Sequence, residues 1–307
     1  METATDTTVD QSVAISLDHV TKIYRGGGGV YELSLDIAVG EVFGFLGPNG
    51  AGKTTTIRLI LDLIRPSSGR IRVFGLDSRT DSVAIRRRVG YLPGELALYE
   101  RLSARQILTH FAHLRGGLDW KKVEHYVEAF DLDVDRPVRS LSRGNRQKVG
   151  LVAAMMGDPE FLLLDEPTSG LDPLVQRTVQ SEVRRAAREG RTVLLSSHVL
   201  SEVGEVADRV GLIREGRLID IESVAQLQGH AAHLVEVRFR GPTDVQTFIS
   251  LPGVLSHRVD DRSLHLEVAG DLNPIVALLA RYDLEDLSIR EPTLEELFMR
   301  FYGVSDG

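Results

Sequence analysis

The sequence has no cysteine, so disulfides, thiolate nucleophiles and cysteine-ligated metals are all excluded. It has no apolar run near the ~20 residues that a membrane span needs. The longest candidate, Leu151 to Leu164, is broken by Gly157, Asp158, Pro159 and Glu160. Any action at a membrane would therefore need another chain to cross it. Positive charge is also short: 36 Lys and Arg face 44 Asp and Glu, a net charge of −8. That balance argues against a nucleic-acid binder driven by phosphate neutralisation, but not against one local phosphate site. The opening residues METATDTTVDQS are acidic and Thr-rich, with neither a basic region nor an apolar stretch. They are read as a disordered tail over residues 1–12, not as a secretory signal.

What is present is the composition of a globular protein, 42% apolar and 26% charged over 307 residues. Strand-like runs at Val13–Leu17, Leu33–Ile37 and Glu41–Leu46 precede a Gly-rich turn and an apolar-periodic helix from Lys53 to Ile64. Ile71–Phe74 and Val89–Leu92 read as further strands. A helical stretch follows, with Ser103 as N-cap and Ile107, Leu108, Phe111 and Leu114 on one apolar face, then a second helix from Asp119 to Phe130. A strand–helix–strand series resumes with Phe161–Leu164, Pro173–Arg188 and Thr192–Ser196. It ends in a hairpin of Arg209–Ile213 and Arg217–Ile221 around Glu215-Gly216. This alternation implies an α/β core with a parallel sheet, interrupted by an inserted helical subdomain. Beyond Glu222 the order strand–helix–strand–strand–helix–strand suggests a small α+β ferredoxin-like domain, closed by an amphipathic helix over Leu294–Phe301.

Gly47, Pro48, Asn49, Gly50, Ala51, Gly52, Lys53 and Thr54 match G-x-x-x-x-G-K-[ST] in full, with Thr55 following. Glycines let successive backbone N–H groups converge on phosphate oxygens, and the helix from Lys53 aims its positive end at the same anion. Lys53 is expected to reach the β- and γ-phosphates and the Thr54 hydroxyl to ligate Mg²⁺. A chance match in a chain this long is roughly one in a hundred from background frequencies, and the flanking strand and helix lower the odds further. The apolar run Phe161–Leu164 ends in Asp165 and Glu166, which places two carboxylates at the strand edge where open α/β sheets bind ligands. Asp165 is expected to hold Mg²⁺, directly or through water, and Glu166 to polarise the attacking water. Gly26 to Gly29 reads as a flexible turn, since no lysine or helix follows it.

Taken together, these residues resemble the ATP-binding-cassette (ABC) ATPase family, whose fold is a P-loop NTPase core. Five more stretches carry the resemblance. Leu141-Ser142-Arg143-Gly144-Asn145 is similar to the family signature L-S-G-G-Q, and Pro167 to Asp172 to the loop after the catalytic glutamate. His198 is similar to the switch histidine, with a structural role as the alternative. Tyr24 stands where the family stacks an aromatic on adenine, or else packs a strand end. Tyr91 to Glu95 occupies the place of the glutamine loop, with Gly94 for the glutamine and Glu95 beside it as a partial substitute on the metal.

The resemblance implies an ATPase using ATP and Mg²⁺, over an ATP-binding domain at 13–222 with a helical subdomain at about 95–157, and an accessory domain at 223–307. It implies a head-to-tail pair of copies in which ATP on one cradle is covered by the other copy's signature: Ser142 through its hydroxyl, Gly144 through its backbone, and a helix from Asn145 onward. Asp172 belongs to the same nucleotide-facing set. A separate polytopic membrane permease would dock near Gly94–Tyr99, holding the chain at the cytoplasmic face of the membrane. Arg143 and Asn145 in the signature, and the tail Glu291 to Phe298, resemble a branch exporting drugs and antibiotics. The rival readings are a soluble ABC ATPase acting on ribosomes or DNA, and an importer ATPase.

Overall fold

The computed structural model describes residues 12–117, 120–229, 232–241, 243–260, 262–293 and 296. The tail expected over residues 1–12 falls outside these apart from Ser12, as do Asp119 of the second expected helix and all of the closing helix expected over Leu294–Phe301 except Glu296. The chain divides into two compact units that meet between Val224 and Ala225.

In the first unit, β1 (Val13–Ile23) and β2 (Gly29–Ala38) form an antiparallel pair that runs further than the sequence suggests, right up to the glycine turn. β3 (Val42–Leu46) is wholly buried and leads into α1 (Lys53–Ile60). β4 (Ser68–Val73) pairs with β1 and with the two-residue β5 (Leu76–Asp77). The first strands therefore build their own antiparallel sheet, in the order β2-β1-β4-β5, and do not join the parallel one. α1 stops four residues short of its expected end. Asp62 takes a left-handed backbone at φ 51°, and the Leu61 carbonyl accepts from Arg86.

α2 (Ser82–Arg88) and β6 (Val89–Leu92) follow. The helical stretch comprises α3 (Ala104–Leu114), α4 (Trp120–Ala129), a 3-10 turn at Val138–Ser140 and α5 (Arg143–Met155). Ser103 caps α3 through a complete capping box with Gln106. Its inward face is Ala104, Ile107, Leu108 and Ala112. Leu114, at the final turn, is 71% exposed instead of completing that face.

β7 (Phe161–Asp165), α6 (Pro173–Arg188), β8 (Thr192–Ser197), α7 (Leu200–Gly204), β9 (Arg209–Arg214) and β10 (Arg217–Ser223) complete the unit. Its main sheet has six strands in the order β10-β9-β3-β8-β7-β6, parallel except for the β9–β10 hairpin. That hairpin turns at Glu215-Gly216, both left-handed, as a two-residue turn requires. Phe43, Phe45, Ile57, Phe161 and Leu163 lie in one core cluster with Ile15, Leu33 and Ile37 of the antiparallel sheet, so α1 and β3 are gripped from both sides.

The second unit holds the remainder of α8 (Val224–Gly229), then β11 (His233–Phe239), α9 (Val245–Ile249), β12 (Val254–Asp260), β13 (Ser263–Val268), α10 (Asn273–Leu279) and β14 (Leu284–Arg290). Its sheet is antiparallel in the order β12-β13-β11-β14. Val235, Val237, Leu264 and Leu266 pack with Phe248 and Ile275 from the two helices as a separate core.

Phe45 is fully buried one residue before the β3 exit, so its loss leaves a cavity under the loop that follows. We expect Phe45→Ala to cost about 3–5 kcal/mol. Urea unfolding followed by the fluorescence of Trp120, the sole tryptophan and a member of this unit, would show it; an unchanged midpoint would mean that this core does not support the loop.

Candidate functional site

The strand order sets β3 beside β8 and β8 beside β7, all parallel, so their C-terminal ends open on one crevice. The chain leaves β3 at Leu46 and wraps through Gly47–Gly52 into α1. Gly47 donates its N–H to the Ser197 carbonyl at 3.3 Å, and Ala51 accepts from the Gly216 N–H at 2.9 Å. A Cβ on Gly47 would stand 2.2 Å from the Ile213 carbonyl oxygen, so only glycine lets the loop pass there. Pro48, Asn49 and Gly50 are exposed at the loop tip, while Ala51 and Lys53 are buried. No side chain caps the start of α1, where Gly52 is the N-cap. Its first N–H groups are therefore left without a side-chain partner, the arrangement that favours an anion at a helix start.

Lys53 is 6% exposed, and its ammonium donates to the carbonyls of Gly47 at 2.5 Å and Pro48 at 3.3 Å. It also lies 3.3 Å from Glu166 Oε1, an oxygen that has no hydrogen-bond donor of its own. The other carboxylate oxygen of Glu166 is 2.9 Å from His198 Nδ1. The structure thus strings Lys53, Glu166 and His198 into one row of touching polar side chains. Glu166 adopts a left-handed backbone at φ 51°, uncommon for a residue with a side chain.

Next to that row, Asp165 is completely buried. It accepts from the Thr54 hydroxyl at 2.7 Å on Oδ2 and from the Ser196 hydroxyl at 2.5 Å on Oδ1. Thr54 Oγ1 and Asp165 Oδ2 are hard oxygens converging on one point, the donor type that a small divalent cation selects. Among the described residues, no cluster of three or more His, Asp or Glu side chains could hold a metal ion. A cation at this point would need water or ligand oxygens to fill its shell. The structure sets Gly94, not Glu95, against Asp165: a Cβ at Gly94 would meet Oδ2 at 3.1 Å. Glu95 is exposed on a groove it shares with Leu141, Arg146 and Ser169. Burial pushes the phenol of Tyr91 above its usual range, and the Asp165 carboxylate adds to the shift.

Tyr24 is brought to the first turn of α1, its hydroxyl 3.5 Å from Thr55 Oγ1, with the ring 38% exposed. Asp172 is committed as the N-cap of α6, where Oδ1 accepts from the N–H groups of Leu174 and Val175, both at 3.1 Å.

The signature segment differs from expectation at its start. α5 begins at Arg143, two residues before Asn145, because Ser142 is its N-cap and accepts the Asn145 N–H on Oγ at 3.2 Å. Gly144 passes so close to the following loop that a Cβ would lie 2.8 Å from the Gly170 carbonyl oxygen. Within the described residues of one chain, no hydrogen bond joins Ser142, Gly144 or Asn145 to the Gly47–Thr55 loop.

Two side chains escaped the sequence reading. Ser196 is the cross-strand neighbour of Asp165, a relation visible only once β7 and β8 are in register. Gln147 is buried one helical turn after Arg143 and donates to the backbone carbonyls of Glu166 and Pro167 at 3.1 and 3.3 Å. Its partners lie 19 and 20 residues away, so no local signal pointed to it.

Residues 30–169 match the family model for the ABC transporter. The daunorubicin resistance ATP-binding protein DrrA3 of Streptomyces coeruleorubidus is 36% identical over 303 residues, covering 94% of this chain and 96% of its own. The bacitracin transport ATP-binding protein BcrA of Bacillus licheniformis is 32% identical, covering 95% and 98%. Among solved structures, an ATP-binding subunit of an ABC transporter aligns with a TM-score of 0.64 at 26% identity, over 70% of this chain and 92% of that one. A dimeric bacterial ABC transporter cassette aligns at 0.63 and 22% identity, over 68% and 98%, a likeness of fold.

Ser196→Ala strips one of the two donors from the buried Asp165 carboxylate. We expect a loss of about 1–3 kcal/mol. The Trp120 unfolding midpoint measures it, and a variant as stable as the parent would mean that Asp165 does not depend on that hydroxyl.

Proposed function

This chain belongs to the ABC transporter family as an ATP-binding, ATP-hydrolysing subunit, and from that membership and the crevice geometry we propose how its residues divide the work. The row Lys53–Glu166–His198 carries the proposal. The glycine loop and the start of α1 hold the triphosphate, and Lys53 moves from its carbonyl partners onto the β- and γ-phosphates. Thr54 and Asp165 would hold Mg²⁺, which when bound would supply Lewis-acid neutralisation of phosphate charge. Their paired oxygens support this; Glu95, exposed beyond Gly94, is left out of the set. Glu166 takes the proton of the attacking water. His198 holds the far oxygen of Glu166 and so fixes which oxygen faces the phosphate. Tyr24 stacks on the adenine, as its half-exposed ring beside Thr55 supports.

The site is completed by a second copy arranged head to tail. The uncapped end of α1 and the exposed start of α5 are separate anion-binding helix ends, and one nucleotide between two copies uses both. Ser142, Gly144 and Asn145 of one copy then close over the phosphates on the other. Asp172 acts there by fixing the loop it ends, through its cap on α6. No helix among the described residues is long and apolar enough to cross a membrane, which supports a separate permease as the partner. It would hold the chain at the cytoplasmic face, docked on the groove that begins at Gly94. The names of the relatives, resistance and transport proteins for daunorubicin and bacitracin, support export of a drug or antibiotic. The second unit, from 225 onward, is read as ferredoxin-like, supported by its element order and its sheet order β12-β13-β11-β14.

Glu166→Gln is expected to bind ATP normally, to hydrolyse it ~10²–10⁴-fold more slowly, and to shift from monomer to dimer by light scattering when ATP and Mg²⁺ are added. Near-normal turnover would remove Glu166 from its role, and a monomer at saturating ATP would remove the paired site. Lys53→Ala should abolish tight ATP binding in titration calorimetry; unchanged affinity would contradict the assignment of the loop.

A further inference from the structure

The peptide at Glu166 is held from both of its ends. On one side its N–H donates to the Ser196 carbonyl and hydroxyl oxygens, both at 3.1 Å, which belong to β8. On the other side its carbonyl accepts from the Ser169 N–H at 3.2 Å and from Gln147 Nε2 at 3.1 Å. Both lone pairs of that carbonyl are therefore used. Gln147 also reaches the next carbonyl, Pro167, at 3.3 Å, and is itself only 7% exposed. It is thus the side chain of α5 that grips the backbone on either side of the Glu166–Pro167 bond.

The grip matters because Glu166 is left-handed, at φ 51°. A side chain in that region is held against a cost, and it persists only where its surroundings over-determine it. Released from its partners, this peptide relaxes toward the ordinary regions. The carboxylate then swings away from Lys53 at 3.3 Å and His198 at 2.9 Å. Gln147 lies five residues after the Ser142 cap, on the same helix whose first turn presents the signature. Arg143, in that first turn, bonds the Ser169 hydroxyl at 3.1 Å, so the loop after Glu166 is tied to α5 twice.

We infer that Gln147 is a positioning residue for ATP hydrolysis: its carboxamide locks the Glu166 peptide so that the carboxylate stays aimed at the attacking water, and so links the start of α5 to the reacting centre of its own chain. This rests on Glu166 acting as the general base. Gln147 is buried and its carboxamide donates to the Glu166 and Pro167 carbonyls, so it works through the backbone at Glu166.

The test compares Gln147→Met, close in shape but without the donor, with Gln147→Glu, which faces two carbonyl oxygens with a carboxylate. Steady-state ATP hydrolysis is measured in the full-length protein and again in the Glu166→Gln background. The expected result is a kcat lower by roughly 10²-fold in Gln147→Met, the scale of a small misplacement of a reacting group. KM for ATP should move less than about twofold if ground-state binding is untouched. Gln147→Glu should be slower still. In the Glu166→Gln background, Gln147→Met should cause no further loss, because the two changes act on the same step. Equal fold losses in both backgrounds, or Gln147→Glu matching the parent, would overturn the inference. If Glu166→Gln alone hydrolyses normally, the general-base reading fails instead. If Glu166→Gln is slow while Gln147→Met matches the parent, only the present inference falls.

Discussion

A carboxylate sealed from water, with Thr54 on one oxygen and Ser196 on the other, sets the geometry of this protein. A buried carboxyl group left without donors is costly, so each of its two hydroxyl partners helps to hold Asp165 in place. They come from the first turn of α1 and the end of β8, while Asp165 itself ends β7. Satisfying one side chain therefore brings three elements into a fixed relation. The Lys53–Glu166 contact follows from it: Lys53 precedes Thr54 in sequence and Glu166 follows Asp165, so seating the inner pair puts the outer pair within 3.3 Å.

The loop from Glu166 to Asp172 shows how little of the chain is needed to connect the rest. Its first residue is pinned to β8 and to α5, its middle to α5 through Arg143, and its last residue caps α6. Thr168 adds a hydrogen bond to Glu202 in α7. A seven-residue segment that reports to four elements leaves no slack.

Much of this was legible in the residues. The buried strands Val42–Leu46 and Phe161–Asp165 are apolar runs that end in unmistakable punctuation, a glycine loop and a pair of acids, and both lie where they were expected. The hairpin at Glu215-Gly216 and the cap at Ser103 are equally local signals. What escaped was relational. Nothing in Val13–Leu17 says which sheet it joins; that is decided by pairing with Gly29–Ala38 and Ser68–Val73. α2 is a single short helix ending in three arginines and β5 is two residues long, below the length at which periodicity speaks. Ser196 and Gln147 carry ordinary polar side chains whose partners sit 31 and 19 residues away, so their importance exists only in three dimensions.

The hydroxyl of Ser142 can accept and donate at once. Its oxygen already receives the Asn145 N–H, which holds the head of α5 in shape. What it has left to give outward is its single hydrogen. Aspartate and asparagine seal helix ends about as well as serine does. Aspartate, however, would present bare negative charge, and asparagine an amide in place of a small rotatable hydroxyl. Fold stability alone is thus nearly indifferent among the three. Under the head-to-tail pairing proposed above, serine is the one cap of the three that can also give a small hydroxyl hydrogen to an anion carried by the other copy.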